Sequence, residues 1–348
     1  MRYFSPLAML LFFTLSISTV VSTGYSQDFE QQRKDLLSKI HEIDKKLGDS
    51  PSPQEYDDLS QQRKEIEAQI KDVTEKLEAD VDAMKKINAV KKAYNEGNAA
   101  YKFGDYQGAI SHYDRAISLD VSFYKAHYGK GLALKKLRKF QEAIIAHQGA
   151  SKHNPAYVAA YIAEGKILKQ IGKNDEALKV LTTAIENNPG SERPYYELGA
   201  IYLDYKKDYN KAAANFSKAT QLKSDYDLAF YSLGVSLTEL ARHDEALIAL
   251  DTALKVTTKK KWYRPHHRKA VIYNKQSAFK SAKTAADEAL KLKANFAPAA
   301  YEAGKACKEL ELFDQAVAYF EICKKDRSWK KMGEYEIDLI VNREKYAR

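Results

Sequence analysis

The sequence predicts an all-α protein made of stacked helix pairs, on the strength of one recurring pattern and its spacing. Between Val90 and Ser328, Ala109, Ala143, Ala177, Ala212, Ala246, Ala282 and Ala316 follow one another in steps of 34, 34, 35, 34, 36 and 34 residues. Twelve or thirteen residues before each stands a small residue: Gly97, Gly131, Gly165, Gly199, Gly234, Ala270 and Gly304. Seven residues after each stands another: Ala116, Ala150, Ala184, Ala219, Ala253, Ala289 and Cys323. A fixed period of this length marks an array in which each unit buries its apolar face on the next. Apolar positions return at helical spacing, as in Leu132, Leu134 and Leu137 followed by Phe140, Ala143, Ile144 and His147, so each unit is two helices. Glycine inside a helix costs about 1 kcal/mol against alanine. Seven small residues at one phase therefore require close helix contact.

Numbered from its own first residue, each unit has the small residue at position 8, alanine at 20 and a second small residue at 27, and Pro155 and Pro189 close the second and third units at position 32. This pattern resembles the tetratricopeptide repeat. The aromatic at position 4 survives as Tyr161, Tyr195 and Phe230 but is replaced by His127 and Ala93, and the sixth unit has Ala270 for glycine. The resemblance implies a right-handed α-solenoid of about seven helix pairs over residues 90–328, binding another protein or peptide and doing no chemistry.

The flanks follow different rules. Residues 1–26 open with Arg2, run apolar from Leu7 to Val21 and end in small and polar residues, the layout of a signal peptide. Export is expected, most naturally to a periplasm or cell envelope, with no transmembrane span after cleavage. In residues 27–88, Phe29, Leu36, Ile40, Ile43 and Leu47, then Leu59, Ile66, Ile70, Val73 and Leu77, step by sevens, fours and threes around a break at Pro51 and Pro53. That is the seam of a coiled-coil helical hairpin; it either caps the array or self-associates. Residues 329–348, with Trp329, Met332, Ile337 and Ile340, read as a C-terminal capping helix.

Chemistry has little to stand on. No HExxH, GxSxG or phosphate-loop pattern is present, so no catalytic residue, metal ligand or cofactor is nominated. The run Lys259–Lys269 (KKKWYRPHHRK) could face an acidic polymer or be a solvated turn leading into a helix, and the second reading is adopted, so no nucleic-acid partner is expected. Cys307 and Cys323 sit too far apart along antiparallel helices for a disulfide and read as packing residues. Asn215 begins a glycan acceptor triplet, which falls inside a helix and is read as chance.

In the resembled family position 5 faces the concave side, and here it is Tyr94, Tyr128, Ile162, Tyr196, Tyr231, His267 and Tyr301. Tyr94, Asn98, Tyr101, Tyr128, Lys135, Lys166, Lys169, Tyr196, Tyr231 and Tyr301 are the candidate partner-binding residues. Lys91, Lys102, Lys125, Lys135, Lys136, Lys166 and Lys169 face the groove in the first three units without a carboxylate at those positions, which suits an acidic segment or a chain-terminal carboxylate, as does the net charge of +9. The family's carboxylate clamp is not reproduced: Asn98 alone has a counterpart, and Ala159 and Ala163 replace the basic pair. The expected function is an exported interaction scaffold in envelope assembly or cell-wall work. An envelope-polymer binding module or enzyme, and a structural subunit of an outer-membrane complex, are the alternatives.

Overall fold

Among the described residues, 24–49 and 51–346 of a computed structural model, every regular element is a helix. The predicted leader lies outside them apart from its last residues, which open the first helix. The chain divides into two units, one ending at Gly129 and the other beginning at Lys130.

Unit one contains α1 (Gly24–Gly48), α2 (Pro53–Phe103), α3 (Tyr106–Leu119) and the start of α4 (Tyr124–Lys136). The Ser52 hydroxyl accepts from the Glu55 amide at 3.4 Å, and Pro53 follows at the helix start, where its missing N–H is harmless. From there α2 runs for 51 residues. No glycine or proline interrupts it between Pro53 and Gly97, so the expected passage from hairpin to array at residues 88–90 falls inside one helix. Its N-terminal half meets α1 through Ile40, Ile43, Leu59, Ile70, Val73 and Leu77, all buried within the one chain. Its C-terminal turns are the first helix of the first repeat. Gly104, at φ 86°, ends it with an amide returned to the carbonyls of Ala100 and Tyr101.

Unit two continues with α5 (Phe140–His153), α6 (Val158–Gln170), α7 (Asn174–Asn187), α8 (Glu192–Ile201), α9 (Tyr209–Leu222), α10 (Asp227–Glu239), α11 (His243–Val256), α12 (Tyr263–Lys275), α13 (Phe279–Leu292), α14 (Ala297–Glu309), α15 (Phe313–Lys324), α16 (Lys330–Val341) and the short α17 (Arg343–Tyr346). Neighbours in sequence pack on each other from α5 to α16. Contacts between like helices run through the first helix of each pair, α6 on α8, α10 on α12 and α12 on α14, which puts those helices on the inner side of the curve.

The small residue at position 8 meets the side chain at position 24. A Cβ added to Gly97 would lie 2.6 Å from the Tyr113 ring, at Gly131 2.5 Å from His147, at Gly199 2.8 Å from Phe216, at Gly234 2.7 Å from Leu250 and at Gly304 2.6 Å from Phe320. These distances are shorter than any van der Waals contact, so the glycine is what admits the large side chain. The sixth repeat makes the opposite trade. Ala270 replaces the glycine and Ala286 stands at position 24, both fully buried in one apolar cluster. Two alanines fill less space than glycine with a large side chain, and Tyr273 and Tyr319 pack against the same cluster.

Each turn between the two helices of a repeat passes through left-handed backbone. Gly104 and Gly172 supply it as expected, but Arg138, Lys207, Ala241, Ser277 and Glu311 adopt it too, at φ between 53° and 60°. The one-residue insertion in the fourth repeat is absorbed as a π-helical turn, Tyr202–Lys206, ahead of Lys207. At the C-terminal end α16 lies on α15 so closely that a Cβ on Gly333 would come 2.7 Å from the Phe320 carbonyl.

The contact between positions 8 and 24 is testable in the seventh repeat. Gly304→Ala should lower stability by about 1–3 kcal/mol, and Phe320→Ala by about 3–5 kcal/mol. In a thermal-denaturation double-mutant cycle, the pair should cost at least about 1 kcal/mol less than the sum. Simple additivity would show that glycine is not there to admit the ring.

Candidate functional site

The position 5 side chains do lie on the inner helices, and all but the buried Ile162 are half-buried. What holds them is a second set of aromatics that the repeat pattern does not mark. In most units the residue just before the next first helix, or before the capping helix, is aromatic: Phe123, Tyr157, Tyr226, Trp262, Phe296 or Trp329. In unit one the Tyr94 ring stands 5.3 Å from Phe123, edge to face, and 5.9 Å from Tyr113. Unit two repeats the arrangement: Tyr196 lies 5.1 Å from Tyr226, Tyr231 5.5 Å from Trp262, His267 5.3 Å from Phe296 and Tyr301 5.3 Å from Trp329. Tyr94, Tyr196 and Tyr301 are thus each fixed between a position 24 ring, at 5.9, 5.6 and 5.9 Å, and the closing aromatic beside them. Such pairs add about 0.5–1.5 kcal/mol beyond their buried area. Burial raises the Tyr196 phenol above its usual range, and burial together with Glu336 lifts Tyr301 to about 12, so both remain neutral hydrogen-bonding groups.

The candidates fall into two sets, because the chain divides between Gly129 and Lys130. Unit one brings together Tyr94, Asn98, Tyr101 and Tyr128. Asn98 is exposed and its carbonyl oxygen accepts from the Tyr113 hydroxyl at 2.8 Å, which leaves the amide N–H groups as its donor side. Tyr101 packs on Tyr106 at 5.4 Å, and Tyr128 is half-buried. Unit two carries Lys135, Lys166, Lys169, Tyr196, Tyr231 and Tyr301. Here Tyr301 is committed to the fold, since its hydroxyl donates to Glu336 at 3.4 Å and Lys308 reaches the same buried carboxylate at 2.6 Å. These two bonds pin α16.

The lysines need a correction. The expectation of a groove without carboxylates compared like positions within the first three repeats, but ion pairs form across the junction to the next repeat. Lys166 lies 2.8 Å from Glu197 and Lys169 3.5 Å from Asp204, both on the fourth repeat. Lys91, Lys102 and Lys125 in unit one, and Lys136 in unit two, are exposed.

The basic run behaves as the leading edge of the sixth repeat. Trp262 is buried, Lys259 pairs with Asp227 and sits 4.4 Å from the Trp262 ring, Lys269 reaches Asp251 at 2.6 Å and Arg268 reaches Glu239 at 3.8 Å. Burial, then Arg268, lowers the His267 imidazole to about 4. Cys307 and Cys323 are free and fully buried, and the Cys323 thiol donates to the Ala297 carbonyl at 3.4 Å. Asn215 is half-buried within α9. Among the described residues no cluster of His, Cys, Asp and Glu could hold a metal ion, and no helix is long and apolar enough to cross a membrane.

Of two buried polar groups, Glu164 and His147, the repeat pattern marks the second and not the first. Glu164, at position 7 of the third repeat and 4% exposed, accepts from the Gln148 side-chain amide at 2.7 Å, and burial raises its pKa. His147 fills the position 24 pocket over Gly131, and burial, then Lys135, lowers it to about 4. Its helical spacing with Phe140, Ala143 and Ile144 places it on the buried face of the second repeat.

Tetratricopeptide repeat models match residues 94–159, and also 158–191 and 192–226. No curated protein matches the chain. Among solved structures, the C-terminal part of a tetratricopeptide repeat-containing protein from Cytophaga hutchinsonii aligns over 70% of this chain and 99% of its own, at 16% identity and a TM-score of 0.56. The pilF protein of Pseudomonas aeruginosa aligns over 62% of this chain and 96% of its own, at 16% identity and a TM-score of 0.52. The Cut9–Hcn1 assembly of the APC/C covers 74% of this chain with 48% of its own, again at 16% identity and a TM-score of 0.52. At such identities the likeness is one of fold. The repeats within residues 94–226 match tetratricopeptide repeats, and the architecture is an α-solenoid of that type.

His147 sets an acid limit. Its folded pKa of about 4 lies below the ordinary 6.5, so the unfolded chain binds the extra proton first. The stabilisation is complete above about pH 6.5 and is lost as pH falls toward 4, by about 2–3 kcal/mol. His147→Leu, which copies Leu181 and Leu250, should reduce the loss of stability between pH 7 and 4.5 by that order, read by chemical denaturation at both pH values. An unchanged pH profile would place the acid limit elsewhere.

Proposed function

We propose that this protein is a non-catalytic interaction scaffold whose inner helices hold an extended segment of another protein. The observation that carries it is the row of half-exposed inner tyrosines, of which Tyr94, Tyr196, Tyr231 and Tyr301 pack on a closing aromatic. A ring already fixed offers wide amphipathic area with little rotor freedom left to lose on binding. In unit two the ring pair is Tyr196 and Tyr231. In unit one it is Tyr94 and Tyr128, with the Asn98 amide and exposed Lys91, Lys102 and Lys125 alongside. Since Lys166 and Lys169 are already paired, the preference for an acidic segment or a terminal carboxylate belongs to unit one.

Capture by in-cell crosslinking identifies the partner, and two variants divide the reading. Tyr231→Ala should weaken partner binding by about 2 kcal/mol or more if it is an anchor, with helicity by circular dichroism unchanged. Lys102→Glu should weaken it less at high salt than at low salt. Full affinity in both variants, with recovery of cell-wall polymer and no protein, would replace the peptide scaffold with a polymer-binding module.

The apolar run from Leu7 to Val21 supports export with removal of a leader, and an envelope role follows from that. N-terminal sequencing of the protein from its native cells should find a start near Gln27; a start at Met1 overturns the export reading.

A further inference from the structure

We propose that Tyr263, Arg264 and Lys293, where the sixth repeat meets the seventh, form a binding site for a phosphate group. Three successive junctions of unit two are built alike, with a lysine three residues before the closing aromatic and lying by its ring. Lys223 is 5.5 Å from Tyr226, Lys259 4.4 Å from Trp262 and Lys293 4.8 Å from Phe296. What stands at the first residue of the repeat differs. The fourth repeat begins with Glu192 and the fifth with Asp227, so each supplies a carboxylate from within. Asp227 pairs with Lys259 and accepts from the Thr257 hydroxyl at 2.7 Å, while Glu192 acts together with Arg193 on Tyr226. The sixth repeat begins with Tyr263, and Lys293 donates to its hydroxyl at 3.3 Å.

A phenol thus takes the place of a carboxylate without bringing its charge. Arg264, exposed and next in the chain, acts on the same phenol, which Lys293 and then Arg264 hold below its usual pKa although burial works the other way. Two cations meet at one neutral oxygen, and among the described residues neither of them has an ion pair. The exposed Lys260 and Lys261, just before Tyr263, add to the local positive field. Acids on the adjoining helices are committed to other lysines: Asp227 to Lys259, Asp251 to Lys269 at 2.6 Å and Glu288 to Lys291 at 2.6 Å.

Packing holds Lys293 in place. Its ammonium lies 4.8 Å from the Tyr263 ring as well as from Phe296, and the two rings meet edge to face at 4.6 Å. Little freedom is left to lose on binding. Because Lys293 donates to the phenol oxygen, the phenol keeps its own proton to give. One carboxylate balances one lysine, as in the fifth repeat. A phosphate brings about two charges and three acceptor oxygens, so the guanidinium, the ammonium and the phenol can each donate to it. The site owes nothing to the inner tyrosines of the scaffold reading.

Line broadening of inorganic phosphate in phosphorus NMR, read as the whole chain is added at neutral pH, tests the site. Broadening is expected with the parent. Lys293→Gln and Arg264→Gln, both at exposed side chains, should each raise the phosphate needed by about tenfold. Tyr263→Asp, which copies the fifth repeat, should abolish binding, and Lys223→Gln should leave it unchanged, all with helicity by circular dichroism retained. Loss of the broadening on adding phosphatidic acid vesicles, but not phosphatidylcholine vesicles, would make the natural source a lipid headgroup; broadening that persists would make it a soluble phosphate. No broadening, equal broadening in every variant, or displacement by glutamate at the concentration that phosphate itself requires would each overturn the proposal; the last would make the site one for a carboxylate.

Discussion

The array depends on one contact, the side chain at position 24 laid over the small residue at position 8. It sets how near the two helices of a repeat approach, and every other regularity is built on that distance. Phe216 and Phe320 each need a glycine beneath, while Ala286 needs only Ala270. The contact also tolerates chemistry other than hydrocarbon, since Tyr113 and His147 occupy it in the first and second repeats. Tyr113 sends its hydroxyl to Asn98 at 2.8 Å, so a core residue reaches through to a side chain on the inner face. Stability and the candidate surface are joined at that bond.

On top of this contact sits the pairing of inner aromatics with closing aromatics. A closing residue belongs to the end of one repeat but stacks on the inner ring of that repeat beside the next first helix, so it ties the junction as well as the surface. Trp329 and Glu336 perform the same service where the repeats end, holding α16 against Tyr301 and Lys308. A last repeat that would otherwise expose its apolar side is closed in this way, and the position 5 tyrosine nearest the end becomes part of the cap.

Charge follows the same logic of neighbours. Lys166 and Glu197, or Lys169 and Asp204, belong to successive repeats and meet only because successive first helices touch. Much of the basic run is similarly drawn into ion pairs and cation–π contacts, leaving the exposed cations at unit-one positions and at the turns. Those turns owe their form to left-handed residues at non-glycine positions, a conformation that costs roughly 1–2 kcal/mol outside glycine and is sustained by the packing of the helices it joins.

The sequence by itself determined the helix pairs, their period and the small residues that admit close packing, because these depend on geometry inside one unit. Seven alanines at position 20 cannot be arranged by chance into steps of 34–36 residues. The resemblance to a known repeat implied position 5 as the inner row. Only the tertiary structure decided what that row touches. The closing aromatics stand about 30 residues from the rings they hold, the lysine pairs span 31 and 35 residues, and α2 passes unbroken through the expected domain boundary because nothing in its sequence stops a helix. Left-handed Arg138 and Ala241 and buried Glu164 carry no local signal. Each is imposed by the neighbouring helix, and its physical cause is a distance across the array that one-dimensional periodicity does not contain.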